Sequence, residues 1–216
     1  MIRAVILDFD GVVLESVEVK TEAFRELFSF APDHAEAIVQ FHKENGGMSR
    51  YDKFDYFYKN ILGVPLTSEK KQELADKFSD IVFKKILAVP FVPGAYEFLQ
   101  KYSGSVSLFV VSATPENELR EILRQRDLTR FFQGVYGAPR EKTDCIREII
   151  SKLGVPASDI LFVGDALNDF AAARAAGIPF VGRIAPGEKN VFYGRSGIVK
   201  VVTDLSEFSG FLEGLS

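Results

Sequence analysis

Asp8 and Asp10 stand two residues apart directly after the apolar run Ala4–Leu7, and Gly11 follows them. Successive side chains of an extended segment point to opposite faces, so carboxylates at this spacing share one space only where the chain stays extended through Phe9. Adjacent carboxylates repel unless a proton, hydrogen-bond donors or a cation compensate them, and a hard cation is the economical answer. Gly11 permits a sharp turn or a close approach of backbone to ligand. Three further groups occupy comparable places downstream. Ser112 ends an apolar run over residues 107–111, Lys142 precedes the helical pattern Ile146, Ile149, Ile150 and Leu153, and Asp165 and Asp169 follow the apolar run 160–163. A lysine at a helix start faces the wrong end of the macrodipole, a misfit that a bound anion would relieve.

These groups need elements to hold them, and each falls at a strand-to-helix junction. The runs at 4–7, 107–111, 134–136, 160–163 and 180–181 are short and mostly apolar on both faces, as strands of a helix-covered parallel sheet are. Helical patterns at 94–101, 115–125, 143–153 and 168–176 alternate with them. Thr114 reads as an N-cap ahead of Pro115, Asn168 as the cap of the last of these helices, and Gly154 and Gly177 as C-terminal caps. The pattern predicts a doubly wound α/β fold with a parallel sheet, whose ligands collect beyond the carboxyl ends of the strands.

Residues 17–87 carry helical periodicity and no convincing strand. Ala23, Leu27 and Phe30 suggest one helix face, and Ile38, Phe41 and His42 a second, begun by Pro32-Asp33. Ser49 can cap a third helix bearing Phe54, Phe57, Tyr58 and Ile61, and Leu74, Phe78, Ile81, Val82 and Lys85 mark a fourth. The expected organisation is a core of residues 1–16 and 88–216 with a small helical bundle, 17–87, inserted in it. His34 and His42 read as surface or packing residues, because no second ligand type is spaced to join them. Cys145 reads as a small core residue.

The formal net charge of -4 gives no electrostatic footprint for nucleic acid or an anionic membrane, so any anion must be attracted locally. A single cysteine cannot form an internal disulfide, and the apolar run before the acids is too short for a signal peptide or a membrane span. The expectation is a cytoplasmic monomer or homodimer that acts on a small metabolite, without nucleic-acid or membrane partners.

Asp8-Phe9-Asp10-Gly11, Ser112, Lys142 and Gly164-Asp165 with Asp169 resemble, in order and context, the four motifs of the haloacid dehalogenase superfamily of phosphoryl-transfer enzymes. The resemblance covers roughly residues 1–16 and 88–205. It implies a helical cap over the active site, hinged near Glu15-Ser16 and residues 88–93. It implies that Asp8 is the nucleophile that becomes an aspartyl phosphate, and that Asp10 protonates the leaving oxygen and then deprotonates the attacking water. Repulsion between a carboxylate and a phosphate charge at 4 Å is about 4 kcal/mol at an effective dielectric near 20, so positive charge must offset it. By resemblance, Mg²⁺ would be held by Asp8, the Asp10 backbone carbonyl and Asp165, supported by Asp169 directly or through water. Lys142, the Ser112 hydroxyl and the backbone amides of Gly11 and Ala113 would hold the phosphoryl oxygens.

Aspartate at position 10 favours phosphate esters within this family. The resemblance therefore implies a Mg²⁺-dependent phosphatase acting on a phosphosugar or a phospho-hydroxy acid, similar to phosphoglycolate-phosphatase-like members. The alternatives are a phosphomutase of the beta-phosphoglucomutase type and a non-catalytic binding module. Family phosphatases often differ at Leu14-Glu15-Ser16 and at Ala113, which leaves the substrate open. Gly47, Ser49 and Arg50, in the glycine-rich break of the inserted helices, are the candidates for specificity. Arg50 is expected either to read the non-reacting end of the substrate or to be a solvated arginine.

Overall fold

The computed structural model describes residues 1–215. Strands β1 (Ala4–Leu7), β2 (Ser107–Pro115), β3 (Gly134–Ala138), β4 (Ile160–Gly164), β5 (Phe180–Arg183) and β6 (Ile198–Val202) pair in the order β3-β2-β1-β4-β5-β6, every pair parallel. The strand order reverses between β1 and β4, which opens a crevice at their carboxyl ends. Asp8 continues one of these strands and Asp165 the other, so the two acids flank the crevice.

Alternation along β1 shows why the sheet is covered on both faces. Val5 and Leu7 join one cluster with Leu99, Leu119, Leu123 and Phe208, while Ala4 and Ile6 join another with Ile146, Ile149 and Ala173. The first cluster is supplied by α5 (Ala95–Tyr102), α6 (Glu116–Gln125) and α9 (Leu205–Glu213), the second by α7 (Lys142–Leu153) and α8 (Leu167–Ala176). Gly154 and Gly177 close α7 and α8 in the left-handed conformation expected of them. Cys145 is buried in the second cluster.

Between β1 and β2 lie α1 (Val17–Leu27), α2 (Ala35–Glu44), α3 (Arg50–Tyr56), which runs on into a π-helical turn over Phe57–Leu62, and α4 (Ser68–Ile86). Their interior is aromatic: Phe24, Phe28, Phe54, Phe57 and Phe78 are all buried and meet largely edge-on or tilted. Each such side chain contributes roughly 1.5–3 kcal/mol of apolar burial. Phe30 is not part of this interior. Helix α1 ends at Leu27, so the helical spacing that aligned Phe30 with Ala23 no longer applies there; Phe30 is exposed and Phe24 and Phe28 fill the space.

The two crossings between the insertion and the sheet domain run side by side. Glu15 N donates to Pro90 O at 3.0 Å and Val92 N to Val13 O at 3.1 Å. Arg126, just past α6, donates through Nη1 to the carbonyls of Ile86, Leu87 and Val89, which closes the open end of α4. Arg183 at the end of β5 donates to both carboxylate oxygens of Glu15, at 3.1 and 2.5 Å, and to Gly11 O at 3.2 Å. Glu15, the departure from the usual motif, thus ties the crossing to the sheet.

Two expected caps are placed differently. Thr114 lies inside β2 and Pro115 is the N-cap of α6, which leaves the Thr114 hydroxyl for other work. Asn168 lies inside α8, whose N-cap is Ala166; Asp169 accepts from Ala166 N at 3.0 Å and satisfies the helix start instead. Strand β6 and helix α9 were not expected: β6 is a half-exposed edge strand interrupted by Lys200, so its apolar alternation is weak.

Candidate active site

Asp8 N donates to Val163 O at 2.9 Å, so the extended geometry of β1 persists one residue past its end and carries Asp8 to the β4 side. Asp8 is buried and its Oδ1 accepts from Phe9 N at 2.7 Å. Lys142, at the first turn of α7, reaches Asp8 Oδ2 at 2.9 Å and Asp169 Oδ1 at 2.6 Å, itself buried. Carboxylate oxygens of Asp8, Asp165 and Asp169 all lie within 4.8 Å of one another. Burial, then the charge of Asp169, push Asp8 up to about 7 against the pull of Lys142. Burial and the charges of Asp8 and Asp169 hold Asp165 well above the carboxylate range. Burial would lower Lys142, but Asp169 and Asp8 outweigh it and raise the ammonium's affinity for its proton. One lysine therefore faces a cluster of three acids, and the cluster suits a hard divalent cation that prefers oxygen ligands.

Asp10 is turned out of that cluster. Its Oδ1 accepts from Ser16 Oγ at 2.7 Å, and its Oδ2 accepts from Thr114 Oγ1 at 3.1 Å and pairs closely with Lys20 Nζ. Lys20 Nζ also donates to Thr114 Oγ1 at 2.8 Å, and Ser112 Oγ lies 3.5 Å from Asp10 Oδ2. Burial alone would raise Asp10; Lys20 and the two hydroxyls hold it below the ordinary value. Lys20, Thr114 and Ser16 were not among the expected site residues. Lys20 had a readable signal, since it precedes Ala23 by three positions and so shares the inward stripe of α1.

Gly11 adopts φ +70°, and a Cβ there would sit 2.1 Å from Asp165 Oδ2. Its amide donates to Leu14 O at 2.8 Å, so in this conformation the site uses the missing side chain of Gly11 and its N–H closes a turn. The ladder between β2 and β3 breaks from Val111 to Pro115, which lets Ser112, Ala113 and Thr114 bulge toward the cavity. The buried Ser112 Oγ accepts from Thr114 N at 3.1 Å. Asp8, Asp10, Ser112, Ala113 and Asp165 line one cavity, with Lys20, Gly47 and Arg50 on the side of the inserted helices.

The three expected specificity residues have different fates. Gly47 takes φ +74°, and a Cβ would meet Asn168 Oδ1 at 2.2 Å, so this loop presses on the start of α8. Ser49 caps α3, accepting from Asp52 N at 3.2 Å, and is not on the cavity wall. Arg50 is 5 % exposed, neither a solvated arginine nor a free donor. Its Nη1 donates to Ser79 Oγ at 2.7 Å and Glu118 Oε1 at 3.1 Å, its Nη2 to Glu118 Oε2 at 2.7 Å, and its guanidinium stacks 4.7 Å over Phe78.

A model of the haloacid dehalogenase-like hydrolases matches residues 2–177. The chain belongs to that family. It is similar to a phosphoglycolate phosphatase of Pseudomonas savastanoi, 35% identical over 97 residues, which are 43% of this chain and 35% of the relative, so that match spans about a third of the relative's length. A longer match, 34% identical over 189 residues, covers 83% of this chain and 68% of a phosphoglycolate phosphatase of Pseudomonas fluorescens. Among solved structures, a hydrolase from Pseudomonas syringae has the same fold at a TM-score of 0.81, with 21% identity over 99% of both chains. CbbY from Rhodobacter sphaeroides has it at 0.76, with 19% identity over 96% of both chains. Among the described residues no helix is long and apolar enough to cross a membrane.

Proposed function

We propose that the chain is a Mg²⁺-dependent phosphatase that hydrolyses a small phosphate monoester, a phospho-hydroxy acid or phosphosugar, through phosphorylation of Asp8. The observation that carries this reading is the convergence of Asp8, Asp165, Asp169 and Lys142 at the sheet's switch point, with Asp8 and Asp165 on the wall of a cavity. Residues 17–87 act as a cap over a core of residues 1–16 and 88–216. The names of the relatives favour a short phospho-hydroxy acid as substrate.

Asp8, the Asp10 backbone carbonyl and Asp165 would hold Mg²⁺, with Asp169 behind them, and the ion would supply positive charge that keeps Asp8 ionised and lessens its repulsion from the phosphate. Lys142 adds a fixed charge on the phosphoryl oxygens, and Ser112 and the bulge at Ala113 add directed hydrogen bonds. An Asp8 oxygen forms the new bond to phosphorus as the bond to the leaving oxygen breaks. Lys20 keeps Asp10 ionised at rest; the approach of a phosphate, a like charge, raises its proton affinity, so Asp10 takes up a proton from solvent as the substrate binds and delivers it to the leaving oxygen. In the second half-reaction Asp10 takes a proton from water, whose oxygen attacks phosphorus and releases Asp8. Burying the cavity beneath the cap keeps bulk water from the first step.

Phosphate release from 2-phosphoglycolate and p-nitrophenyl phosphate, with Mg²⁺ and with excess chelator, tests the reading. Loss of more than about a hundredfold on chelation is expected; full activity in chelator contradicts it. A mutase would release little phosphate from either ester without a bisphosphorylated activator.

Stability should show the same dependence. Asp8 is raised from 3.8 to about 7 in the folded metal-free protein. The folded state therefore holds the extra proton across that window, and its stability falls as pH rises through it. Mg²⁺ should raise the Tm distinctly more at about pH 8 than at about pH 5, where protons already neutralise the cluster. An equal shift at both values would remove the metal from Asp8.

A further inference from the structure

Lys53 and His42 form a basic pair on the cap wall of the same cavity that the mechanism leaves unused. Lys53 Nζ lies 2.8 Å from His42 Nδ1; as an ammonium it can only donate, which places the ring proton on Nε2. That Nε2 is buried with no hydrogen-bond partner. His42 is 6 % exposed and packs on Phe24, with ring centroids 4.7 Å apart; Lys53 is 3 % exposed and lies 5.6 Å over the same ring. Among the described residues no carboxylate forms an ion pair with Lys53, whereas Lys20 is held by Asp10 and Arg50 by Glu118. A buried ammonium without a counter-charge is costly, and an apolar side chain would fill the same space at no such cost. Burial, followed by the charge of Lys20, draws Lys53 down to about 7. An arriving anion would restore its full charge.

We infer, on the phosphatase reading above, that Lys53, oriented by His42, recognises a second anionic group such as a carboxylate on the non-reacting end of the substrate. The pair, not Arg50, then sets specificity. Arg50 shares the wall, but its guanidinium is already engaged by Glu118 and Ser79 across the cap and core. The ligand is a short molecule with an anion at each end, since Lys53 and Asp8 border one cavity.

The test compares 2-phosphoglycolate with 2-hydroxyethyl phosphate, which lacks the carboxylate, in the full-length protein with Mg²⁺. Wild type should favour the carboxylated ester in kcat/KM. Lys53→Met should lower that preference at least about tenfold, mainly through KM for 2-phosphoglycolate, the scale of one charge-assisted contact. It should also raise the Tm of the substrate-free protein, because the uncompensated ammonium is gone. Lys53→Arg should retain more of the preference than Lys53→Met. An equal fall for both esters, or an unchanged ratio, overturns the inference. Competition between the two esters on wild type needs no variant, and absence of preference there overturns it while the phosphatase reading stands. Release of phosphate from neither ester would sink both.

Discussion

Asp8→Asn is expected to reduce turnover by more than a thousandfold, about 4 kcal/mol in barrier, without loss of fold. The change keeps the shape of the side chain and the oxygen that accepts from Phe9 N, but an amide cannot attack phosphorus. Lys142 keeps its bond to Asp169 at 2.6 Å, so the cation is not stranded. Because burial and Asp169 already disfavour the charged form of Asp8, the metal-free variant should be at least as stable as wild type at about pH 8. Thermal unfolding with and without chelator, beside steady-state rates, checks both halves. A variant that retains a tenth of the activity, or that fails to fold, contradicts the role given to Asp8.

Lys142→Met should be nearly as severe for turnover and much worse for stability. The lysine is the buried counter-charge of Asp8 and Asp169, and removing one partner of a buried pair costs about 3–5 kcal/mol because the charges left behind are uncompensated. Turnover should fall about a thousandfold or more, since the phosphoryl oxygens lose their fixed cation as well. The stability loss should be largest at about pH 8 and smaller at about pH 5, where Asp8 and Asp165 can take up protons. Mg²⁺ should recover part of it. Denaturant unfolding at the two pH values decides the matter: a loss that does not depend on pH would mean that Lys142 contributes packing alone.

The parts of this molecule that are legible in the chain are those whose cause is local. β1 and β4 are short runs buried on both faces, and an acid directly follows each, so strand, strand end and chemistry can be read from one stretch of residues. Gly154 and Gly177 mark helix ends through their own backbone freedom. Arg50 is the opposite case. Its neighbours indicate a helix start, but its fate depends on Glu118, 68 positions away, and nothing near either residue signals the pair. Lys53 has the same difficulty in sharper form, since a lysine within a helix reads as solvated until the packing of Phe24 and His42 around it is known. A threonine before proline fits a helix cap, whereas the break in the β2 ladder turns the Thr114 hydroxyl to Asp10, which no local signal shows.

On the proposed mechanism Asp8 itself carries the phosphoryl group between substrate and water. Acid quenching of the enzyme during turnover of 2-phosphoglycolate with Mg²⁺, followed by peptide mass spectrometry, tests it most directly. A phosphoryl adduct on Asp8 is expected to appear within one turnover and to disappear when substrate is exhausted. Full turnover with no adduct at Asp8 at any quench time, or an adduct on another side chain, would contradict it.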